Sequence, residues 1–211
     1  MLHHEILMSE GELKSKDGLL FLPGYGQSIE EIEPLLSSIC RDMVRVLVQP
    51  PLQIKNKGKY YWAQFEKDVR PLAFDQEQIR TAIHQVLALA LQVKEQHHLR
   101  RLFLSGFSQG AVVAAHAIDQ APGQFAGAVL SHPIILPALL EGGTVPLPPL
   151  LMLQSPIGTD DFVTAIDHQH MLEWLEARGS VVHRKEVTGG HAFTKDIAAA
   201  IESAISDWRK K

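Results

Sequence analysis

The segment Gly106-Phe107-Ser108-Gln109-Gly110 constrains this chain more than any other. It closes an apolar run (101–107) and opens a stretch of small residues (111–118). Those pieces read as a strand, a tight turn and a helix. The turn leaves no room for side chains at its two glycines, and it forces Ser108 into an unfavourable backbone conformation that lifts the hydroxyl out of the sheet. Ser108 also stands at a helix N-terminus, where free N–H groups and the helix dipole stabilise developing negative charge. A turn that merely contains a serine has the same five letters. The strand before it and the helix after it are what argue for a nucleophile elbow.

Hydrophobic runs alternate with helical spacing along the chain. Residues 18–23, 43–48, 101–107, 126–131, 150–154 and 181–187 read as strands, with 3–8 as an added edge strand. Residues 30–40, 76–94, 111–118, 165–177 and 195–208 read as helices. This alternation predicts an α/β architecture, a mostly parallel central sheet flanked by helices on both faces. With the elbow, it predicts the α/β-hydrolase fold. The length of 211 residues suits a single domain spanning 1–211. Ligands of such sheets bind outside the carboxyl ends of the strands. Two long connections, 50–75 and 131–149, are expected on that side, and long loops in compact domains usually carry function.

A serine hydroxyl needs a base. Of eleven histidines, His191 fits best. It follows the last core strand through Gly189 and Gly190, in the chain order Ser, Asp, His that this fold uses. His183 lies inside a strand, His168 and His170 fall at a helix start, and the rival His132 precedes the acidic candidates. The acid should follow strand 150–154, where Asp160 and Asp161 stand side by side. Its task is to orient the imidazole and stabilise the imidazolium. Adjacency alone leaves the choice between the two open. Two backbone donors would complete an oxyanion site, one from Gln109 and one from Tyr25 in the loop Pro23-Gly24-Tyr25-Gly26-Gln27.

Other chemistries find no footing. Twenty basic and 24 acidic side chains give a net charge of −4, which argues against nucleic acid. The basic run Arg209, Lys210, Lys211 reads as a solvated helix end. Neither G-x-G-x-x-G nor a P-loop follows any strand, and His168 with His170 lacks zinc spacing, so no metal and no cofactor is expected. The lone cysteine, Cys40, reads as a small core residue. No signal peptide and no membrane span is legible, which makes a cytoplasmic protein the expectation.

With these positions assigned, the chain resembles the phospholipase/carboxylesterase family, which includes the acyl-protein thioesterases. The likeness runs from residue 19 to about residue 201. It rests on the Leu-Pro-Gly-Tyr-Gly opening, Gln49-Pro50-Pro51, Tyr61-Trp62, Gly106 to Gly110, Asp160 three residues before Val163, and Gly190-His191. The resemblance favours Asp160 over Asp161. It implies a carboxylesterase that cleaves small esters, lysophospholipids or acyl thioesters through a Ser-His-Asp triad and an acyl-enzyme. It also implies no cofactor and, often, a homodimer. Trp62, with Tyr61 and Phe65, would offer an apolar wall to an acyl chain, the other reading of such aromatic loop residues being packing. The chain departs from the family at Pro23, Gln27, Ala111 and the Ser155-Pro156-Ile157-Gly158 segment, which bears on the substrate more than on the chemistry. The alternatives are cleavage of another bond, such as a peptide or lactone, and a ligand-binding member of the fold that does no hydrolysis.

Overall fold

A computed structural model describes residues 2–8, 15–55, 57–66, 68–69, 72–141, 143–156, 159–180 and 182–210. Val181, the expected first residue of the last strand, lies outside these, as do Ile157, Gly158, Lys211 and part of the N-terminal stretch. The elements in order are β1 (His4–Leu7), β2 (Asp17–Leu22), α1 (Ile29–Leu36), β3 (Val44–Val48), β4 (Leu52–Ile54), β5 (Lys59–Tyr61), β6 (Phe65–Glu66), β7 (Ala73–Phe74), α2 (Gln76–Gln96), β8 (Arg101–Phe107), α3 (Gln109–Gln120), β9 (Gly127–Ser131), β10 (Leu150–Gln154), α4 (Ala165–Ala177), β11 (Val182–Glu186) and α5 (Lys195–Arg209).

Seven strands form one sheet in the order β1-β3-β2-β8-β9-β10-β11. Every pairing is parallel except that of the edge strand β1 with β3. Period-two alternation divides the apolar strand residues between two cores. Leu20, Leu22, Val46 and Leu104 face α2, α3 and α4, whereas Leu19, Phe21, Leu47 and Phe103 face α1 and α5. Expected and observed elements agree along the main sheet. The mostly parallel sheet between two helical layers is the α/β-hydrolase architecture.

Three differences have local causes. The helix expected over 30–40 stops at Leu36, because the buried Arg45 guanidinium donates to the carbonyls of Leu36, Ser37 and Ile39 and so completes the C-terminus early. The connection 50–75 is not a bare loop. It folds into two hairpins, β4 with β5 and β6 with β7, and Tyr60 bridges back to Gln27. Arg209, read as part of a solvated helix end, is instead ion-paired with Asp17 and Asp42, while Asp17 also takes a two-pronged contact from Arg101. These bonds pin the end of α5 beneath the sheet, opposite the carboxyl edge.

Candidate active site

Six strand ends at the carboxyl edge of the sheet converge on one region. After β2 comes the Pro23–Gln27 turn, after β3 the hairpins, after β8 Ser108, after β9 His132, after β10 Asp160, and after β11 His191. Ser108 adopts φ 51° and ψ −119°, the strained turn expected of an elbow. Its N–H is anchored to the Ser131 carbonyl at 2.9 Å. The flanking glycines are there for clearance. A Cβ on Gly106 would lie 2.5 Å from the Gly110 carbonyl oxygen, and one on Gly110 would fall on the carbonyl oxygens of Leu22 and Pro23. Gly110→Ala is therefore expected to destabilise the fold by about 3 kcal/mol or more, because the obstacle is backbone that cannot swing aside. A thermal melt reads this as a loss of several degrees, and an unchanged melt would contradict the close approach.

The residues expected from sequence to act together do meet. The His191 Nε2 lies 2.6 Å from Ser108 Oγ, and its Nδ1 lies 2.8 Å from Asp160 Oδ2. The other carboxylate oxygen of Asp160 accepts from the backbone N–H groups of Phe162 at 2.8 Å and Val163 at 3.1 Å. Burial alone would raise the Asp160 pKa. The hydrogen bond and charge of His191 and the two backbone donors outweigh it and hold the carboxyl at about 2. An ionised carboxylate only accepts, so Nδ1 carries the imidazole proton and Nε2 accepts from the Ser108 hydroxyl. An imidazole so placed can take that proton while the carboxylate stabilises the resulting cation. Asp161 takes no part in this chain of bonds, and the N-cap of α4 is Thr164, boxed with Asp167.

Tyr25 lines the cleft beside Ser108 and sits in a turn fixed from several sides. Gly24 N–H donates to Gln27 Oε1 at 2.6 Å, and Gly26 N–H donates to the Tyr60 carbonyl at 2.7 Å. Gln109 stands at the first turn of α3 with its backbone next to Ser108. Its side chain has a second job that its position in the motif did not announce. The Oε1 accepts from Trp62 N–H at 2.6 Å and Nε2 donates to the Ala63 carbonyl at 2.6 Å, so a buried amide fastens the hairpins to the elbow.

Trp62, expected on the wall of the cleft, is placed elsewhere. Its side chain is fully buried and its Nε1 donates to the Pro23 carbonyl at 2.8 Å. It supports the Tyr25 turn from below, and the wall is formed by Phe65, Leu72 and Phe74 on one side and Ile32, Leu35 and Val112 on others. The cleft has a volume of about 550 Å3. Its charged lining, among the described residues, consists of Glu31 and Lys59, paired with each other at 2.9 Å. Phe162 and Phe107 pack their rings against His191 at centroid distances of 4.8 and 5.4 Å.

His132, Asp160 and His191 bring three potential metal-ligating atoms within 4.8 Å of one another. Each is already engaged in hydrogen bonds, and a cation there would displace the proton that joins Asp160 to His191. His168 and His170 lie on α4.

A family model described as serine aminopeptidase, S33, matches residues 71–185, more than half of the chain. The chain belongs to that family of hydrolases. The matched stretch carries Ser108 and Asp160, and His191 follows it by a few residues. No protein of curated function matches this family member in sequence. Among solved structures it is similar to a carboxylesterase from Mesorhizobium loti, with a TM-score of 0.81 and 18% identity over 97% of this chain and 94% of that one. It is also similar to the Bacillus cereus carboxylesterase, with a TM-score of 0.76 and 18% identity over 98% and 94%. A third is Zea mays acyl-protein thioesterase 2, with a TM-score of 0.71 and 17% identity over 98% of both chains. At these identities the likeness is one of fold. No helix among the described residues is long and apolar enough to cross a membrane.

Proposed function

We propose that the protein hydrolyses carboxylic esters or thioesters of apolar acyl groups through Ser108, His191 and Asp160. The observation that carries this reading is the unbroken run of hydrogen bonds from Asp160 through His191 to Ser108, opening onto a cleft walled by Phe65, Leu72, Phe74 and Ile32. Ser108 Oγ attacks the carbonyl carbon as its proton passes to His191 Nε2. The oxyanion is held by the backbone N–H groups of Gln109 and Tyr25. The tetrahedral adduct collapses, the leaving alcohol or thiol takes the proton from His191, and an acyl-Ser108 remains. Water then attacks that acyl group as His191 takes its proton. The second adduct collapses as Ser108 Oγ leaves and takes that proton from His191, and the carboxylic acid is released. The relatives' names, carboxylesterase and acyl-protein thioesterase, agree with this chemistry, and lysophospholipids are a further substrate class for the same cleft.

The family description also names peptides. An aminopeptidase needs an anionic group to hold the free amino terminus of its substrate. Glu31 is the one carboxylate among the described lining residues, and Lys59 already neutralises it. That pairing favours an acyl chain over an amino acid. One buried cysteine and no disulfide among the described residues suit a reducing compartment, such as the cytoplasm.

The test is hydrolysis of p-nitrophenyl esters from acetate to laurate beside leucine p-nitroanilide. Each methylene buried is worth about 0.8 kcal/mol, so kcat/KM should rise about fourfold per methylene until the cleft is full. Turnover of the anilide with none of the esters would replace this reading by the peptidase one.

A further inference from the structure

His132 is buried, has no exposed polar edge and stands outside the three residues assigned to the chemistry. It is also strained. Its φ of 52° places a ring-bearing residue in the left-handed region, which persists only where surrounding contacts over-determine it. Those contacts are visible. Its backbone N–H donates to the Leu153 carbonyl at 2.7 Å, its Nδ1 lies 3.2 Å from Ser131 Oγ, and its Nε2 lies 3.0 Å from Ser155 Oγ.

Hydrogen-bond bookkeeping fixes the tautomer. Ser155 has a single hydroxyl proton, and it goes to the carbonyl of Gly190 at 3.3 Å. Ser155 Oγ must then accept from His132, so the proton of His132 sits on Nε2 and its Nδ1 accepts from Ser131. The same Nε2–H lies 3.9 Å from Asp160 Oδ2, the oxygen that receives His191. The His132 ring also packs edge-on against the His191 ring at 5.1 Å. Gly190 is the residue before His191 and has φ 65°. The chain Ser131–His132–Ser155–Gly190 thus ties the ends of β9 and β10 to the backbone that carries the base.

We propose that His132 is a positioning residue, whose neutral, Nε2-protonated ring holds Ser155 and Gly190 so that His191 stays aligned between Asp160 and Ser108. It touches no substrate and lends no proton. This rests on the assignment of Ser108 and His191 made above. A misalignment of about an ångström at a base is enough to slow chemistry by a factor on the order of 100.

The experiment compares wild type with His132→Asn, His132→Gln and Ser155→Ala. Asparagine tolerates the left-handed backbone but falls short of Ser155. Glutamine carries an amide N–H out to about the place of Nε2. Two rates are read, steady-state turnover of the preferred ester and covalent labelling of Ser108 by a fluorophosphonate, together with the melting temperature. We expect H132N and S155A each to lower kcat and the labelling rate by about 10- to 100-fold with KM within about twofold. H132Q should recover most of that loss, and H132N with S155A together should fall no further than either alone. If the ring only fills space, H132N and H132Q melt earlier by similar amounts and keep wild-type kcat, and the inference is overturned. Additive losses in the double variant overturn it as well. Labelling separates this from the substrate reading. A wild type that reacts with the probe but cleaves no ester refutes the bond class and still tests His132 by labelling rate. A wild type that does not react removes the triad and this inference together.

Discussion

Ser108→Ala should lower kcat on the preferred ester by roughly 10⁴- to 10⁶-fold, with KM changed only a few fold. In the proposed mechanism the hydroxyl oxygen forms the covalent intermediate, and no neighbouring group replaces it, which is why the expected loss is this large. What survives is rate from the oxyanion donors and from binding, which is why the activity does not fall to that of free water. The cleft walls are untouched by the change, so ester binding persists. Folding should be unharmed, because alanine keeps the helix start while only the bond to His191 Nε2 is lost. Steady-state kinetics on purified variant, with a melt to establish folding, reads both quantities. Retention of more than about one percent of kcat would remove Ser108 from the chemistry.

The second large effect concerns acid. Between pH 6.5 and about 4 the fold should lose stability on the order of 3 kcal/mol for each of two buried histidines, His116 and His132. Burial pushes both pKa values down to about 4, with the neighbouring His191 adding to the effect at His132. A histidine in the unfolded chain takes up its proton near pH 6.5. Below that pH the unfolded state therefore binds protons that the folded state refuses, and stability declines until the folded pKa values are reached. Below about pH 4 the depressed carboxyl of Asp160 continues the decline, since its contribution is present above its unfolded pKa and is lost as the pH falls toward 2. Urea unfolding at a series of pH values measures the slope. His116 accepts from the Leu136 N–H through Nε2 at 3.1 Å. His116→Gln keeps an acceptor there without a titrating ring, so it should remove about half of the decline. A flat stability between pH 6.5 and 4.5 would mean that these rings are protonated in the fold.

Most of the sheet and its helices were legible because their signal is local. Residues 101–107, 150–154 and 165–177 coincide with β8, β10 and α4. Strand β11 lies within the expected 181–187 and is mostly exposed and charged, as suits a sheet edge. The four strands of the hairpins were not legible. They are two or three residues long, and partners distant in the chain hold them, Gln27 opposite Tyr60 and the Gln109 amide on Trp62 and Ala63. The same cause misplaced Trp62. An aromatic residue in a loop has one appearance in sequence whether it meets a ligand or props up a turn, and only the distance to Pro23 decides. Ser108 and His191 were readable because chain order and strand ends fix them, whereas only the family resemblance separated Asp160 from its neighbour Asp161. In sequence His132 reads as a rival base or a pocket-lining ring, since the bonds that define it run to Ser155 and, through it, to Gly190, far along the chain.

Gln109 joins two parts of the molecule that need not evolve together. Its backbone belongs to the turn that presents Ser108, and its side chain grips the hairpin stem at Trp62 and Ala63, leaving Phe65 to Phe74 beyond the grip. The distal hairpin is in effect a replaceable cassette on a fixed mount. A change in that hairpin alters the wall offered to a substrate while the Gln109 amide still holds the stem to the elbow.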